Sequence, residues 1–141
     1  KEFHPSGSLG AKLKTVEDLM ISGKKIPFVN ENTNMKKALK LITQKKLGIL
    51  IAINRRKITT GIITDGQVRR SSQKNESLIT SSVKKIMTKN PISVDKNMLA
   101  VKALAIMSDK KITSLCVHEG EKRKKTIGVL HIHNILDGNI S

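Results

Sequence analysis

Val16-Glu17-Asp18-Leu19-Met20 and, 67 positions later, Val83-Lys84-Lys85-Ile86-Met87 share one pattern, Val-x-x-apolar-Met. The segments that follow each of them recur in the same order. Phe28-Val29-Asn30 faces Ser93-Val94-Asp95, Lys37-Ala38-Leu39 faces Lys102-Ala103-Leu104, and Gly61-Ile62-Ile63 faces Gly128-Val129-Leu130. The offset drifts only between 65 and 67, so short loop insertions account for it. Self-similarity at a fixed period marks a repeat architecture. A copy of about 55–60 residues lies near the lower limit for a domain folding alone, so the two copies are expected to share a core.

Each copy reads as strand, helix, strand, strand, helix. Met35, Ala38, Leu39 and Ile42 form one apolar helix stripe, and Ala100, Ala103, Leu104 and Met107 repeat it. Thr33 or Asn34, and Asn97, are the expected N-caps, because their side-chain oxygens accept orphan backbone N–H groups. Gly48–Ile53 is a short β-branched run that reads as a buried strand, with Ser114–Val117 as its counterpart. Lys57–Ile63 and Thr126–Leu130 supply the next strand of each copy. Thr64-Asp65 opens a short helix, and so does His131. The polar stretch Ser71–Ser82 suits a connector. The expected fold is α+β: two intertwined repeats of the order β-α-β-β-α, related by a pseudo-two-fold. Residues 1–12 read as a linker, 13–76 as the first repeat and 77–141 as the second.

Composition narrows the function. The chain has 141 residues and 38% apolar content, enough for a core. No apolar run approaches the roughly 18 residues that span a bilayer, and no signal peptide opens the chain. The absence of an initiator Met suggests a fragment. The single cysteine, Cys116, excludes an internal disulfide and fits a reducing cytoplasm; it reads as a small buried hydrophobe. The net charge of +16 admits nucleic acid, an anionic membrane or an anionic small ligand. Aromatics are 1% of the chain, which argues against stacking on single-stranded nucleic acid. The lysines read as scattered over both halves. Arg55-Arg56-Lys57 and Lys122-Arg123-Lys124-Lys125 read as solvated loops between strands.

The ordered set of motifs, seen twice, resembles the cystathionine-β-synthase-type (CBS) repeat, and two in tandem resemble a Bateman module. The resemblance covers residues 13–138. Phe3-His4-Pro5-Ser6-Gly7-Ser8-Leu9-Gly10, Leu47-Gly48, Gly61-Ile62-Ile63-Thr64-Asp65-Gly66 with Arg69-Arg70, Ile112-Thr113-Ser114 and Gly128-Val129-Leu130-His131-Ile132-His133 are also similar to the C-terminal half of bacterial D-arabinose 5-phosphate isomerases. That resemblance implies a parent interconverting ribulose 5-phosphate and arabinose 5-phosphate for synthesis of the lipopolysaccharide sugar Kdo. Its sugar-isomerase domain would precede Lys1, and residues 1–12 would be the linker from it.

By the same resemblance His4 matches an active-site histidine, whose imidazole suits proton transfer only together with the missing domain. Gly7-Ser8-Leu9-Gly10 lacks the phosphate-loop pattern and reads as linker. Thr64, Asp65 and Gln67 sit where a strand hands over to a helix. There they are either phosphate-attracting or simply a helix cap. Many CBS repeats carry an aspartate for a ribose diol where this chain has Gln67 and Asn134; an amide lacks the charge-assisted strength of a carboxylate. His131 and His133 lack the further ligands a zinc site needs, so no metal is expected. They read as an anion contact in the cleft between repeats or as an ordinary polar helix start. Thr113 and Ser114 would line the same cleft, with Arg69 and Arg70 supplying charge.

The expected function is a regulatory sensor without a complete active site of its own and without a cofactor. A small anionic metabolite would bias the missing isomerase domain, with CMP-Kdo or an adenine nucleotide as the regulatory ligand. The alternative is a ligand-free module that holds an oligomer together: a homodimer of pairs, and a tetramer in the full-length parent. Nucleic-acid binding is the third and weakest reading.

Overall fold

A computed structural model describes residues 13–74 and 76–137. In chain order the elements are helix α1 (Val16–Leu19), strands β1 (Ile21–Ser22) and β2 (Phe28–Asn30), helix α2 (Met35–Lys45), strands β3 (Ile49–Ile53) and β4 (Thr59–Thr64), and helix α3 (Asp65–Lys74). Then come α4 (Val83–Ile86), β5 (Thr88–Lys89), β6 (Ser93–Asp95), α5 (Ala100–Lys110), β7 (Ser114–His118), β8 (Gly128–His131) and α6 (Ile132–Asp137). They form two compact units. One is Lys24–Pro91; the other joins the residues up to Gly23 to those from Ile92 onward.

In the Lys24–Pro91 unit the sheet order is β2-β3-β4-β5. β2 runs parallel to β3, with Asn30 opposite Ile53, and β3 and β4 are antiparallel, with Ile49 opposite Thr64. β3 is buried from Ile49 to Ala52, as its continuous apolar run demands, whereas β4 alternates. Met35, Ala38 and Ile42 of α2 pack with Val29, Leu50, Ala52, Ile63, Leu78, Val83 and Met87. The second unit repeats the plan with the sheet order β1-β8-β7-β6. Its core is Val16, Val94, Ala100, Ala103, Met107, Leu115, Val117, Leu130 and Ile135. The fold is thus α+β with two small sheets.

The intertwining is an exchange of leading segments. Val16-x-x-Leu19-Met20 is a one-turn helix with its C-cap, leading into the edge strand β1 of the unit that holds the second repeat's strands. β1 pairs with β8, and Val16 and Glu17 donate backbone N–H bonds to Met98 and Lys96 at 2.8 and 2.9 Å. The second copy does the same: β5 pairs with β4, and Val83 and Lys84 donate to Thr33 and Glu31, both at 2.8 Å. The methionine that ends each motif lies over the glycine of the neighbouring strand. A Cβ on Gly61 would stand 2.6 Å from Met87 Sδ and 2.8 Å from Thr88 O; one on Gly128 would meet Met20 Sδ and, at 3.0 Å, Ile21 O. The repeat's Val-x-x-apolar-Met and Gly-apolar-apolar signatures are therefore two halves of one contact.

Several local expectations change. Asn34 caps α2 by accepting Lys37 N–H at 2.9 Å, but Asn97 does not cap α5. Its own N–H is taken by Asp95 Oδ1 at 2.8 Å, and the N-cap is Leu99, which has no side-chain acceptor. The stretch Ser71–Ser82 is not plain connector: α3 runs on to Lys74, and a 3-10 turn at Glu76–Thr80 buries Leu78. Cys116 is buried as a small hydrophobe, and burial pushes its thiol up to about 11, against the opposing Thr126 hydrogen bond. The charge is not evenly spread: Lys24–Pro91 carries 16 Lys and Arg against 3 Asp and Glu, most of the +16 of the whole chain.

Candidate functional site

Each unit has one junction where a strand hands over directly to a helix. In the Lys24–Pro91 unit β4 ends at Thr64 and α3 begins at Asp65. Asp65 N–H donates to Gly48 O at 2.9 Å, which ties the junction to the residue before β3. Gly48 has φ +70, a left-handed backbone that favours glycine. Thr64 Oγ1 accepts Gln67 N–H at 3.2 Å, so Thr64 caps α3. The Gln67 side chain turns inward. Its Nε2 donates to the Ile86 carbonyl, and its buried Oε1 has no partner among the described residues. Asp65, Arg69 and Arg70 are exposed, and the Arg70 guanidinium folds back over Gly66, 3.3 Å from where a Cβ would stand.

The second unit builds the same junction with the capping reversed. Ile132 N–H donates to Thr113 O at 2.8 Å, the counterpart of the Asp65–Gly48 bond. Here the residue inside the helix reaches back, and Asn134 Oδ1 accepts His131 N–H at 2.8 Å. His131 Nδ1 in turn accepts His133 N–H at 3.1 Å, and the two rings stack with centroids 4.8 Å apart. Ser114 pairs with His131 across β7 and β8, while Thr113 is exposed. Thr113, Ser114, His131, His133 and Asn134 thus gather at one junction, and Thr64, Asp65 and Gln67 at the other. His4 lies outside the described residues. Among the described residues no group of three or more His, Cys, Asp or Glu side chains is placed to hold a metal.

His131 titrates with a defined sign. Burial, and then the charge of His133, hold the His131 imidazole below its ordinary 6.5. A ring that accepts a backbone N–H at Nδ1 must also stay neutral there. The unfolded chain therefore holds more protons as pH falls below 6.5, and stability drops through that window towards the lowered folded value. The melting temperature is expected to fall as pH drops below the ordinary 6.5. His131→Asn, which still caps but does not titrate, is expected to flatten that slope. An unchanged slope in the variant would assign the dependence elsewhere.

Reading by sequence alone passed over one further feature, an open depression of about 350 Å³ lined by Glu31, Asn32, Asn54, Arg55, Arg56 and Ile58. Its only sequence signal is the Arg55-Arg56-Lys57 run, which looks like any solvated loop. Among the described residues no helix is long and apolar enough to cross a membrane.

The CBS domain family model matches residues 16–74 and again 83–139. The arabinose 5-phosphate isomerase KdsD of Salmonella typhi is 36% identical over 97% of this chain and 41% of its own length. The protein RP505 of Rickettsia prowazekii is 35% identical over the whole chain and 43% of its own length. The chain thus spans less than half the length of these relatives. Among solved structures, CBSX2 in complex with AMP superposes with a TM-score of 0.78 at 24% identity, covering 89% of this chain and 96% of that one.

Proposed function

Since this chain belongs to the CBS domain family, as a pair of its repeats, we propose that it is the regulatory, ligand-binding part of a D-arabinose 5-phosphate isomerase. The observation that carries this reading is the 36% identity to KdsD along 97% of the chain. The chemistry of isomerisation would belong to a separate domain preceding these residues, with His4 completing it, and the pair itself would have no active site. The setting would be cytoplasmic and the pathway that of Kdo and lipopolysaccharide.

The proposed ligand is an anionic nucleotide or nucleotide sugar, with CMP-Kdo as the pathway's end product and an adenine nucleotide as the runner-up. The AMP in CBSX2 supports the nucleotide class. Thr64, Asp65, Arg69 and Arg70 at one junction, and Thr113, Ser114, His131 and His133 at the other, are the proposed contacts. Gln67 and Asn134 are already engaged by the Ile86 carbonyl and the His131 N–H. Only Gln67 Oε1 is left without a partner among the described residues, and an amide lacks a carboxylate's charge-assisted hold on a ribose diol, so recognition would lean on ligand charge. Those same internal bonds favour a second reading, a ligand-indifferent module that holds a homodimer, and a tetramer in the parent.

A thermal-shift screen against CMP-Kdo, CMP, AMP, ATP and arabinose 5-phosphate separates these. A ligand at 100 times its dissociation constant stabilises the fold by about 2.7 kcal/mol. A shift selective for CMP-Kdo is the expected result. A shift with AMP or ATP alone would replace the ligand, and no shift with any of the five would leave the oligomer-holding role.

A further inference from the structure

The geometry points to a second ligand site, at the end of the Lys24–Pro91 sheet opposite Thr64–Gln67, suited to a phosphorylated sugar or polyol. The register fixes the place. Asn30 faces Ile53 at one end of the sheet and Ile49 faces Thr64 at the other, so Glu31, Asn32 and the β3–β4 turn share the far end. The depression there, at about 350 Å³, is the size of a small-ligand pocket.

The turn that carries its cations is tied down. Asn54 Oδ1 accepts Arg56 N–H at 2.9 Å and Ile58 N–H at 3.0 Å, while Lys57 N–H donates to Asn54 O at 2.9 Å. This knot fixes the backbone of the turn from which Arg55 and Arg56 both reach the depression. Opposite them, Glu31 O anchors Lys84 N–H at 2.8 Å, and Asn30 Oδ1 holds Asn32 N–H at 2.8 Å.

The other unit shows what a closed version looks like. There the counterparts of Glu31, Lys84 and Asn54 are Lys96, Glu17 and Glu119, and Lys96 Nζ reaches Glu17 at 3.4 Å and Glu119 at 3.2 Å. That network satisfies itself and raises the Lys96 pKa, chiefly through its hydrogen bond to Glu119. In the Lys24–Pro91 unit two of those signs are reversed and Asn54 is uncharged, and among the described residues no ion pair joins Glu31, Arg55, Arg56 or Lys84. Two arginines lining one depression with a single carboxylate remain open to solvent, in a unit already rich in basic residues.

The side chains define the ligand. Paired guanidinium groups match phosphate oxygens in bidentate fashion. A carboxylate beside two carboxamides suits hydroxyl donors. A bare phosphate would leave Glu31 unused and repelled, and a nucleobase would find no aromatic platform among the lining residues.

The test is ¹⁵N NMR titration of the whole chain with ribose 5-phosphate, ribose and inorganic phosphate. It is read at the backbone amides of Asn32, Arg56 and Ile58, and separately at Gln67 and Asn134. Saturable shifts at the first set are expected with ribose 5-phosphate, about tenfold tighter than with phosphate and absent with ribose. The exposed double variant Arg55→Ala/Arg56→Ala should lose about tenfold or more in affinity, and Glu31→Gln should weaken ribose 5-phosphate but not phosphate. Equal affinity for phosphate, indifference to the arginine variant, or no saturable shift at millimolar concentration would overturn the site. Shifts confined to Gln67 and Asn134 would also overturn it, while leaving the proposed regulatory function standing.

Discussion

Gly61→Ala is expected to lower stability by about 3 kcal/mol, a melting point depressed by about 10 °C. The reason is space rather than backbone conformation. The added methyl would stand 2.6 Å from Met87 Sδ and 2.8 Å from the Thr88 carbonyl, and neither distance is tolerable for a carbon. The sulfur can swing aside, but the carbonyl belongs to β5, which is hydrogen-bonded to β4 at this very position, with Gly61 opposite Lys89 and Ile62 opposite Thr88. Relief therefore requires the edge strand to move. Adding Met87→Ala to the variant should recover only part of the loss, because the backbone clash remains. Gly128→Ala should behave alike against Met20 and Ile21. A change under about 0.5 kcal/mol, the scale of an ordinary surface substitution, would sink the argument.

Val83→Asp is expected to be harsher, about 4–5 kcal/mol, enough to leave the Lys24–Pro91 unit unfolded. Val83 is fully buried and packs with Val29, Met35, Leu50 and Ile63. Among the described residues no buried Lys or Arg stands by to pair with a carboxylate there. The informative part is where the damage falls. Val83 opens the second repeat in sequence but serves the core of the unit that holds β2, β3 and β4. Hydrogen exchange should lose its protection in β2–β4 and keep it in β6–β8. Loss confined to β6–β8 would refute the segment exchange.

Much of this was legible in the residues. α2 and α5 announced themselves through stripes at helical period, and Met35, Ala38 and Ile42, like Ala100, Ala103 and Met107, are the buried ones. β3 and β7 could be read because fully buried strands are short continuous apolar runs. The destination of Val16–Met20 and Val83–Met87 could not be read. A one-turn helix with a two-residue strand carries too little local preference to say which sheet edge it joins, and only packing decides. Asn97 misled because α5 starts at Ala100 with Leu99 as its N-cap, so Asn97 stands two residues too early, in a turn where Asp95 accepts its backbone N–H. At the junctions, the capping role of Thr64 was one of two open alternatives. The reversal of roles between His131 and Asn134 depends on side-chain rotamers that no spacing encodes. The Glu31–Arg56 depression joins residues from two separate loops, and a charge run read one loop at a time hides that.

The exchange of leading segments also orders events at the ribosome. The Lys24–Pro91 unit is one uninterrupted piece of chain and can close as soon as Pro91 has emerged. The segment holding Val16 cannot: its partners lie between Val94 and Ile135. At the usual pace of synthesis it waits several seconds, already made, while the rest of its unit is still being translated. During that interval Val16, Leu19 and Met20 are an apolar tab without the core they later join. The short build of that tab, with Glu17 and Asp18 between its apolar residues, keeps the nascent chain from offering a long sticky edge.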